Sequence, residues 1–168
     1  ASCRGMKIRN ALIKDLNAIL EILNYEIVNS IAIYDYDEKS YGELLDWFQL
    51  KQENGMPVIV AEIGDVVVGF GTYDGFRKKE AYQFSVEHSV YIQNTHRRIG
   101  VGRLLLEELI QRAKERGYHA MIAGLDASNK GSYEFHKKHG FKEVGTFKEV
   151  GFKFNKWLDL TFMQLLLL

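Results

Sequence analysis

The chain has 168 residues, of which 46% are hydrophobic and 26% are charged, and its formal net charge is zero at pH 7. These values are typical of one ordinary globular domain. The lack of net positive charge argues against nucleic acid or a membrane as a partner, and the longest apolar runs are far shorter than the roughly 20 residues of a membrane span. Cys3 is the only cysteine, which excludes an internal disulfide and a cysteine-built metal site.

The stretch "ASCRG" precedes Met6, and one interpretation of residues 1–5 is a remnant that does not belong to the domain. No charged segment followed by an apolar segment opens the chain, so we expect no secretory signal. We therefore expect one domain over residues 6–168 and a cytoplasmic location.

In chain order, "MKIRNA" predicts a short first strand, and Asp15 has the residue type of an N-cap for a helix with apolar residues at helical spacing. A second helix is predicted in "EKSYGELLDWFQLKQENG". The segment "NSIAIYDYD" between the two helices has no period and is interpreted as a loop. "PVIVAEIGDVVVGFGTY" holds two β-branched runs around Gly64-Asp65, which favours a hairpin.

The second half begins with "AYQFSVEHSVYI", which predicts a long strand, and continues with a helix from Leu104 to Arg116 that ends at Gly117. "HAMIAGLDA" predicts a further strand, and a short helix is predicted from Lys130 to His139. The tail "FKEVGTFKEVGFKFNKWLDLTFMQL" indicates two or three more strands. This order predicts an α/β domain with a largely antiparallel sheet.

The junction after the long strand combines two glycines with three arginines and then turns into a helix. Glycines free the backbone to adopt positive φ and leave room for a ligand. The first amides of a helix lack internal partners, and the helix dipole adds positive charge, so the turn suits a phosphate or pyrophosphate. The alternative is a glycine-shaped turn with solvated arginines. The residues of the turn are Arg97, Arg98, Ile99, Gly100, Val101, Gly102 and Arg103.

The pattern Arg97-x-x-Gly100-x-Gly102 resembles the acyl-CoA pyrophosphate loop of the GNAT N-acetyltransferases. "VEHSVYI", "NKGSYEFHKKHGF" and "GFKFNKWLDLTFMQL" are similar to the phosphinothricin and methionine sulfone/sulfoximine acetyltransferase branch of that family. The resemblance implies a mixed, twisted sheet flanked by helices and splayed between strands 4 and 5, where acetyl-CoA inserts. It also implies a homodimer formed through the C-terminal strands.

The resemblance assigns Glu87 the role of the base that takes the proton of the acceptor amine. Burial in an apolar pocket would raise the pKa of such a carboxylate toward useful values, although a lone strand glutamate is more often solvent-facing. His136 stands where many relatives carry a tyrosine that protonates the leaving thiolate, and an imidazole can do so near neutrality. Alternatively, His136 only packs against the cofactor; Tyr133 is a weaker substitute.

Further cofactor contacts are implied outside the turn. Three strand residues would offer backbone groups to the pantetheine amides, as an added strand does. An asparagine that also suits a helix N-cap and a lysine on the same helix complete the set. These residues are Val90, Tyr91, Ile92, Asn129 and Lys138.

The acceptor site is expected beside Glu87. Arg77 matches a family position that lines the amino-acid pocket, and an arginine there suits bidentate capture of a carboxylate. Lys79 falls at a second pocket position, and His88 and Ser89 neighbour the base. No second ligand stands at metal spacing from His88, so no metal is expected. The loop around Tyr34 is expected to close over the pocket.

The sequence thus predicts an acetyl-CoA-dependent N-acetyltransferase in which the α-amine of a small amino-acid-like acceptor attacks directly. The resemblance implies methionine sulfone, methionine sulfoximine or phosphinothricin as acceptors. Two alternatives stay open at this point: an acetyltransferase for protein N-termini and a non-catalytic acyl-CoA-binding module.

Overall fold

The computed structural model of the protein describes residues 5–168, so Cys3 and most of the stretch interpreted as a remnant lie outside the described residues. The strands are β1 (Met6–Asn10), β2 (Val58–Ile63), β3 (Val66–Gly75), β4 (Ser85–Ile92), β5 (Ala120–Asp126), β6 (Lys142–Lys153) and β7 (Lys156–Leu166). The helices are α1 (Leu16–Asn29), α2 (Tyr41–Glu53), α3 (Val101–Glu115) and α4 (Lys130–Lys138).

Within residues 5–168 the strands form one seven-stranded sheet in the order β1-β2-β3-β4-β5-β7-β6. Neighbouring strands pair antiparallel everywhere except at β4 and β5, which are parallel. A parallel pair needs a long crossover connection, and α3 supplies it between these two strands. The predicted mixed, largely antiparallel sheet flanked by helices is confirmed.

The sheet has two covered faces, because successive strand residues point to opposite sides. Helices α1 and α2 pack on one face, and α3 packs on the other. Burying one large aliphatic side chain contributes on the order of 1.5–3 kcal/mol, so both layers stabilise the sheet. On the α1–α2 face the buried set includes Leu16, Ile19, Leu44, Phe48, Val60 and Phe70, and on the α3 face it includes Val86, Leu105, Leu106, Leu109 and Met121.

Three local predictions need correction. Asp15 does not cap α1 with its side chain; it accepts the Leu12 amide and pairs with Arg9 at 2.7 Å, because the chain forms a short 3-10 turn first. The helix predicted from Leu104 starts at Val101, since its first residues carry no apolar period. The strand predicted from Ala81 starts only at Ser85, after a 3-10 turn.

Candidate active site

Strands β4 and β5 separate after a short paired stretch. They pair at only three positions, Ser85 with Ala120, Val86 with Met121 and Glu87 with Ile122. Beyond this point β4 continues beside β3 and β5 continues beside β7. The sheet is therefore splayed between its fourth and fifth strands, as predicted, and the facing edge of β4 is open to an extended ligand.

Glu87 lies at the last paired position before the strands separate. Its side chain is partly buried, and this burial raises the pKa of its carboxyl group. Within residues 5–168 no hydrogen bond or ion pair engages the carboxylate. Its Oε2 atom instead projects over β5 at Gly124, 3.0 Å from the position that a Cβ would take there. A desolvated carboxyl group without a partner in a cleft is typical of a proton-transfer site.

The residues on either side of Glu87 alternate between the two faces. Tyr91 packs with the core under α1 and α2, and Val90 packs with the core under α3. By strand alternation, Glu87 and Ser89 share the face of Tyr91, whereas His88 lies on the face of Val90. This placement does not favour the predicted acceptor contact of the His88 side chain.

His88 and His136 form a buried pair on the α3 face. Their Nε2 atoms are 3.0 Å apart, and His136 Nδ1 is 2.7 Å from the carbonyl oxygen of Ser132. Burial, followed by the charge of His136, lowers the pKa of His88 to about 3, and burial also lowers the pKa of His136. Both rings are therefore neutral near pH 7.

Each neutral imidazole has one N–H, and the distances assign it. His136 donates from Nδ1 to Ser132, so its Nε2 accepts the Nε2–H of His88. His88 Nδ1 then carries no proton and does not donate to the carbonyl oxygen of Ile122, which lies 3.3 Å away at the level where β4 and β5 separate. Both nitrogens of His136 consequently have partners within the protein.

The glycine turn between β4 and α3 has the backbone that an anion site needs. Gly100 has φ 93° and precedes the first helical residue, Val101. The first helical amides lack intrahelical partners and lie at the positive end of the helix dipole. Positive φ is found at Gly100 and at Arg98 (φ 64°), but not at Gly102, which is helical. A Cβ at Gly102 would lie 3.5 Å from the Phe135 ring, which is ordinary van der Waals contact.

The arginines of the turn have different surroundings. Arg97 pairs with Glu26, whose side chain is only 6% exposed, and thereby ties the turn to α1. Arg103 pairs with Glu107 at 3.4 Å, one helical turn along α3. Arg98 and Ile99 are exposed.

The remaining predicted cofactor residues lie at the two ends of α4 and on β4. The Asn129 side chain accepts a hydrogen bond from the Ser132 amide at 3.0 Å, which confirms its predicted role as the N-cap of α4. Lys138 is exposed at the end of that helix. Val90 and Ile92 are partly buried on the β4 segment that runs along the opening.

The loop between α1 and α2 reaches the end of β5. The Tyr34 hydroxyl donates to Asp126 Oδ1 at 2.8 Å, and Asp126 is the last residue of β5. The loop is also held by Lys153, whose Nζ donates to the carbonyl oxygens of Ile27 (2.7 Å), Ser30 (2.9 Å) and Ile33 (2.6 Å). Neither Lys153 nor Asp126 was predicted from the sequence. The position of Asp126 at the end of a predicted strand could have indicated it, whereas no sequence feature indicated Lys153.

Arg77 is exposed on the loop that follows β3. Its guanidinium is 5.9 Å from the ring centroids of both Phe76 and Tyr82, within cation–π range. The Phe76 ring in turn meets Phe162 of β7 edge-on, with centroids 6.4 Å apart. Lys79 is exposed just before the 3-10 turn that leads to β4. Arg77 is thus oriented by aromatic rings and still accessible to an anion.

Residues 5–168 contain neither a metal-binding cluster nor a membrane-spanning helix. In residues 5–168 no three His, Cys, Asp or Glu side chains come together in a way that could hold a metal ion. No helix in the same range is long and apolar enough to cross a membrane.

A splayed sheet with a helix N-terminus at the opening and a carboxylate at its apex defines an acyl-CoA-dependent transferase. Residues 21–141 match the model of the acetyltransferase (GNAT) family. The chain belongs to the GNAT acetyltransferase family.

Named relatives agree with this assignment. The chain is 39% identical over 160 residues to an L-methionine sulfoximine/L-methionine sulfone acetyltransferase of Salmonella typhimurium, a match that covers 95% of this chain and 94% of the relative. A crystal structure of an N-acetyltransferase from Staphylococcus aureus Mu50 is 44% identical, has a TM-score of 0.96, and is matched over 97% of this chain and 99% of its own.

A third relative shows the co-substrate. A phosphinothricin acetyltransferase from Sinorhizobium meliloti, crystallised in complex with acetyl-CoA, is 34% identical with a TM-score of 0.93, over 96% of this chain and 88% of that one. The family, the fold and the enzyme class predicted from the sequence are confirmed, and the predicted co-substrate is the one that this relative binds.

Proposed function

We propose that residues 6–168 act as one N-acetyltransferase domain that moves the acetyl group of acetyl-CoA to the α-amine of a small amino-acid-like acceptor. The observation that carries the proposal is Glu87, a carboxylate with a raised pKa and no partner within residues 5–168, at the apex of the splay. The names of the Salmonella typhimurium and Sinorhizobium meliloti relatives favour acceptors of the methionine sulfone, methionine sulfoximine or phosphinothricin type.

Acetyl transfer makes two demands on the site: the amine must lose a proton, and the leaving thiolate must gain one. Bound acetyl-CoA supplies a thioester, and its C–S bond breaks as the amine nitrogen bonds to the acetyl carbon. Glu87 takes the proton that the amine must lose, directly or through water. The first amides of α3 and the turn around Gly100 would hold the pyrophosphate, and the open edge of β4 at Val90, Tyr91 and Ile92 would hold the pantetheine.

The second demand is a proton for the leaving thiolate, and His136 is its predicted donor. Its one proton lies on Nδ1 and is donated to Ser132, and its Nε2 accepts from His88, so donation requires that one of these contacts break and, at Nε2, that the ring first take up a proton. The acid role of His136 therefore stays a prediction. The contact with His88 favours the alternative in which His136 packs beside the cofactor.

Acceptor recognition is proposed at the rim next to Glu87. Arg77, oriented by Phe76 and Tyr82, would bind the acceptor carboxylate in a bidentate pair. Lys79 and Ser89 are proposed to line the same space, and the loop held by Tyr34 would close it. A closed rim of this kind suits a small anion better than the end of a polypeptide.

Association of two copies is proposed through β6 and β7. Apolar side chains on these strands are 43% to 65% exposed, which is unusual for a monomer when they are contiguous. Phe152 and Trp157 also stack across the hairpin, with their ring centroids 5.0 Å apart. The set comprises Val144, Phe147, Val150, Phe152 and Trp157. A cytoplasmic location remains a prediction.

The test is a CoA-release assay with acetyl-CoA and three kinds of acceptor: free amino acids with their sulfone, sulfoximine and phosphinic analogues, short peptides, and none. The proposal expects release with the free compounds only. Preference for peptides would identify an N-terminal acetyltransferase, and binding of acetyl-CoA without turnover on any amine would identify a non-catalytic module.

A further inference from the structure

Gly124 on β5 lies directly beneath the Glu87 carboxylate. A Cβ at this position would be 3.0 Å from Glu87 Oε2 and 3.3 Å from Cε1 of Phe162. Carbon and oxygen atoms in ordinary contact are farther apart than 3.0 Å, so a methyl group would push the carboxylate aside. Glu87 and Gly124 thus occupy one small volume on the α1–α2 face of the sheet.

The backbone does not explain why this residue is glycine. Gly124 is absent from the glycines with positive φ, so an L-residue could adopt its conformation. It also sits in a regular antiparallel pairing with Phe162, where glycine is unfavourable because it packs nothing. The remaining reason is the space that a side chain would take.

We propose that Gly124 is a positioning residue whose missing side chain keeps open the place that the Glu87 carboxylate occupies above β5. The inference rests on the proposed role of Glu87 as the base. Gly124 does not touch the reacting atoms itself; it acts by letting Glu87 reach across the last paired position of β4 and β5.

This arrangement separates stability from activity. The atom closest to the added methyl group is the far end of a flexible glutamate side chain, which can turn away at little cost. Replacing a strand glycine by alanine also reduces the freedom of the unfolded chain, which stabilises a protein when the backbone is compatible. Gly124→Ala should therefore keep or raise the thermal midpoint while it impairs turnover.

The experiment measures kcat, the KM for acetyl-CoA and the thermal midpoint for Gly124→Ala, Glu87→Gln and the double variant. The matched control is Gly75→Ala, also a strand glycine, where a Cβ would meet nothing within 4 Å. We expect Gly124→Ala to lower kcat by about tenfold or more, because small misplacements of a catalytic group are costly. The KM of Gly124→Ala for acetyl-CoA should be unchanged. Gly75→Ala should keep the kcat of the unmodified enzyme.

The double variant decides the cause. If the methyl group acts through the base, Gly124→Ala should change kcat less than about twofold in the Glu87→Gln background, since coupled residues are not additive. An equal loss in both backgrounds overturns the inference, because the methyl would then act on the acceptor or on Phe162. A Gly124→Ala protein that fails to fold overturns it as well.

Failure of the proposed function is recognised separately. If Glu87→Gln alone retains normal turnover, the base assignment falls, and the inference about Gly124 falls with it. If Glu87→Gln is impaired and Gly124→Ala is not, only the inference about Gly124 is overturned, and Glu87 keeps its proposed role.

Discussion

Where β4 and β5 separate, the ionisable groups on the two faces of the sheet differ in their hydrogen bonding. On the α3 face, His88 and His136 are buried and hydrogen-bonded to each other, and Ser132 holds the second ring. On the α1–α2 face, Glu87 has no hydrogen bond or ion pair within residues 5–168. Buried polar groups without partners are costly and rare in native proteins. We therefore propose that Glu87 is kept free for chemistry, whereas the two histidines are engaged with each other and with Ser132.

The largest expected effect is on the α1–α2 face, at Glu87. Glu87→Gln keeps the shape of the side chain but cannot accept a proton, so kcat at pH 7 should fall about 10²- to 10⁴-fold. Steady-state kinetics with one good acceptor measures the loss. Glu53→Gln, a matched change at the exposed end of α2, is the control and should keep full activity.

A second prediction tests the cofactor side of the opening. Gly102→Val places a branched side chain in the first turn of α3, where it would block the approach of the cofactor to the backbone. Affinity for acetyl-CoA should fall by about tenfold or more, which corresponds to about 1.4 kcal/mol, and the intrinsic affinity for the acceptor should change little. Calorimetry on the folded variant measures it. Undiminished acetyl-CoA binding would show that the pyrophosphate does not bind at this turn.

A third prediction tests the proposed acceptor site at Arg77. If its guanidinium binds the acceptor carboxylate, Arg77→Ala should raise the acceptor KM by roughly tenfold, as expected for a charged hydrogen bond of about 1.5–3 kcal/mol. Esterifying that carboxylate should then cost the variant little more. Lys78→Ala, the adjacent exposed cation, is the control. A full further loss on esterification would show that another residue binds the group.

The histidine face makes a prediction about stability. The pKa of His88 is about 3 when folded and 6.5 as a free side chain, so the unfolded state binds more protons between these values. The free energy of unfolding should be highest above pH 6.5 and should fall as the pH drops toward 3, by at most about 1.4 kcal/mol per pH unit from this group.

Denaturant unfolding at pH 7, 6 and 5 tests this dependence. His88→Gln should flatten it, whereas His119→Gln, which changes an exposed histidine, should not. An unchanged slope in His88→Gln would mean that His88 is not the group that titrates on unfolding.

The sequence allowed some of this site to be predicted and not the rest, for physical reasons. The turn around Gly100 and the strand with Glu87 are local sequence patterns, so their residue types and order were enough to predict them. The opposite orientation of Glu87 and His88 also follows from strand alternation, although both were first assigned to the acceptor. Lys153 and Ile27, 126 residues apart, meet only after folding, as do Arg97 and Glu26, 71 residues apart. No local pattern predicts such contacts.

The most direct test of the contrast between the two faces is a pair of pH–rate profiles, for Glu87→Gln and His136→Phe, after both are shown to fold and to bind acetyl-CoA. Raising the pH should partly rescue Glu87→Gln, because more acceptor amine arrives already neutral. His136→Phe should lose less activity, since a thiol of pKa ~8.5 leaves tolerably without a donor, and high pH should not rescue it. Near-normal turnover of Glu87→Gln at pH 7 would contradict the account and make Glu87 structural.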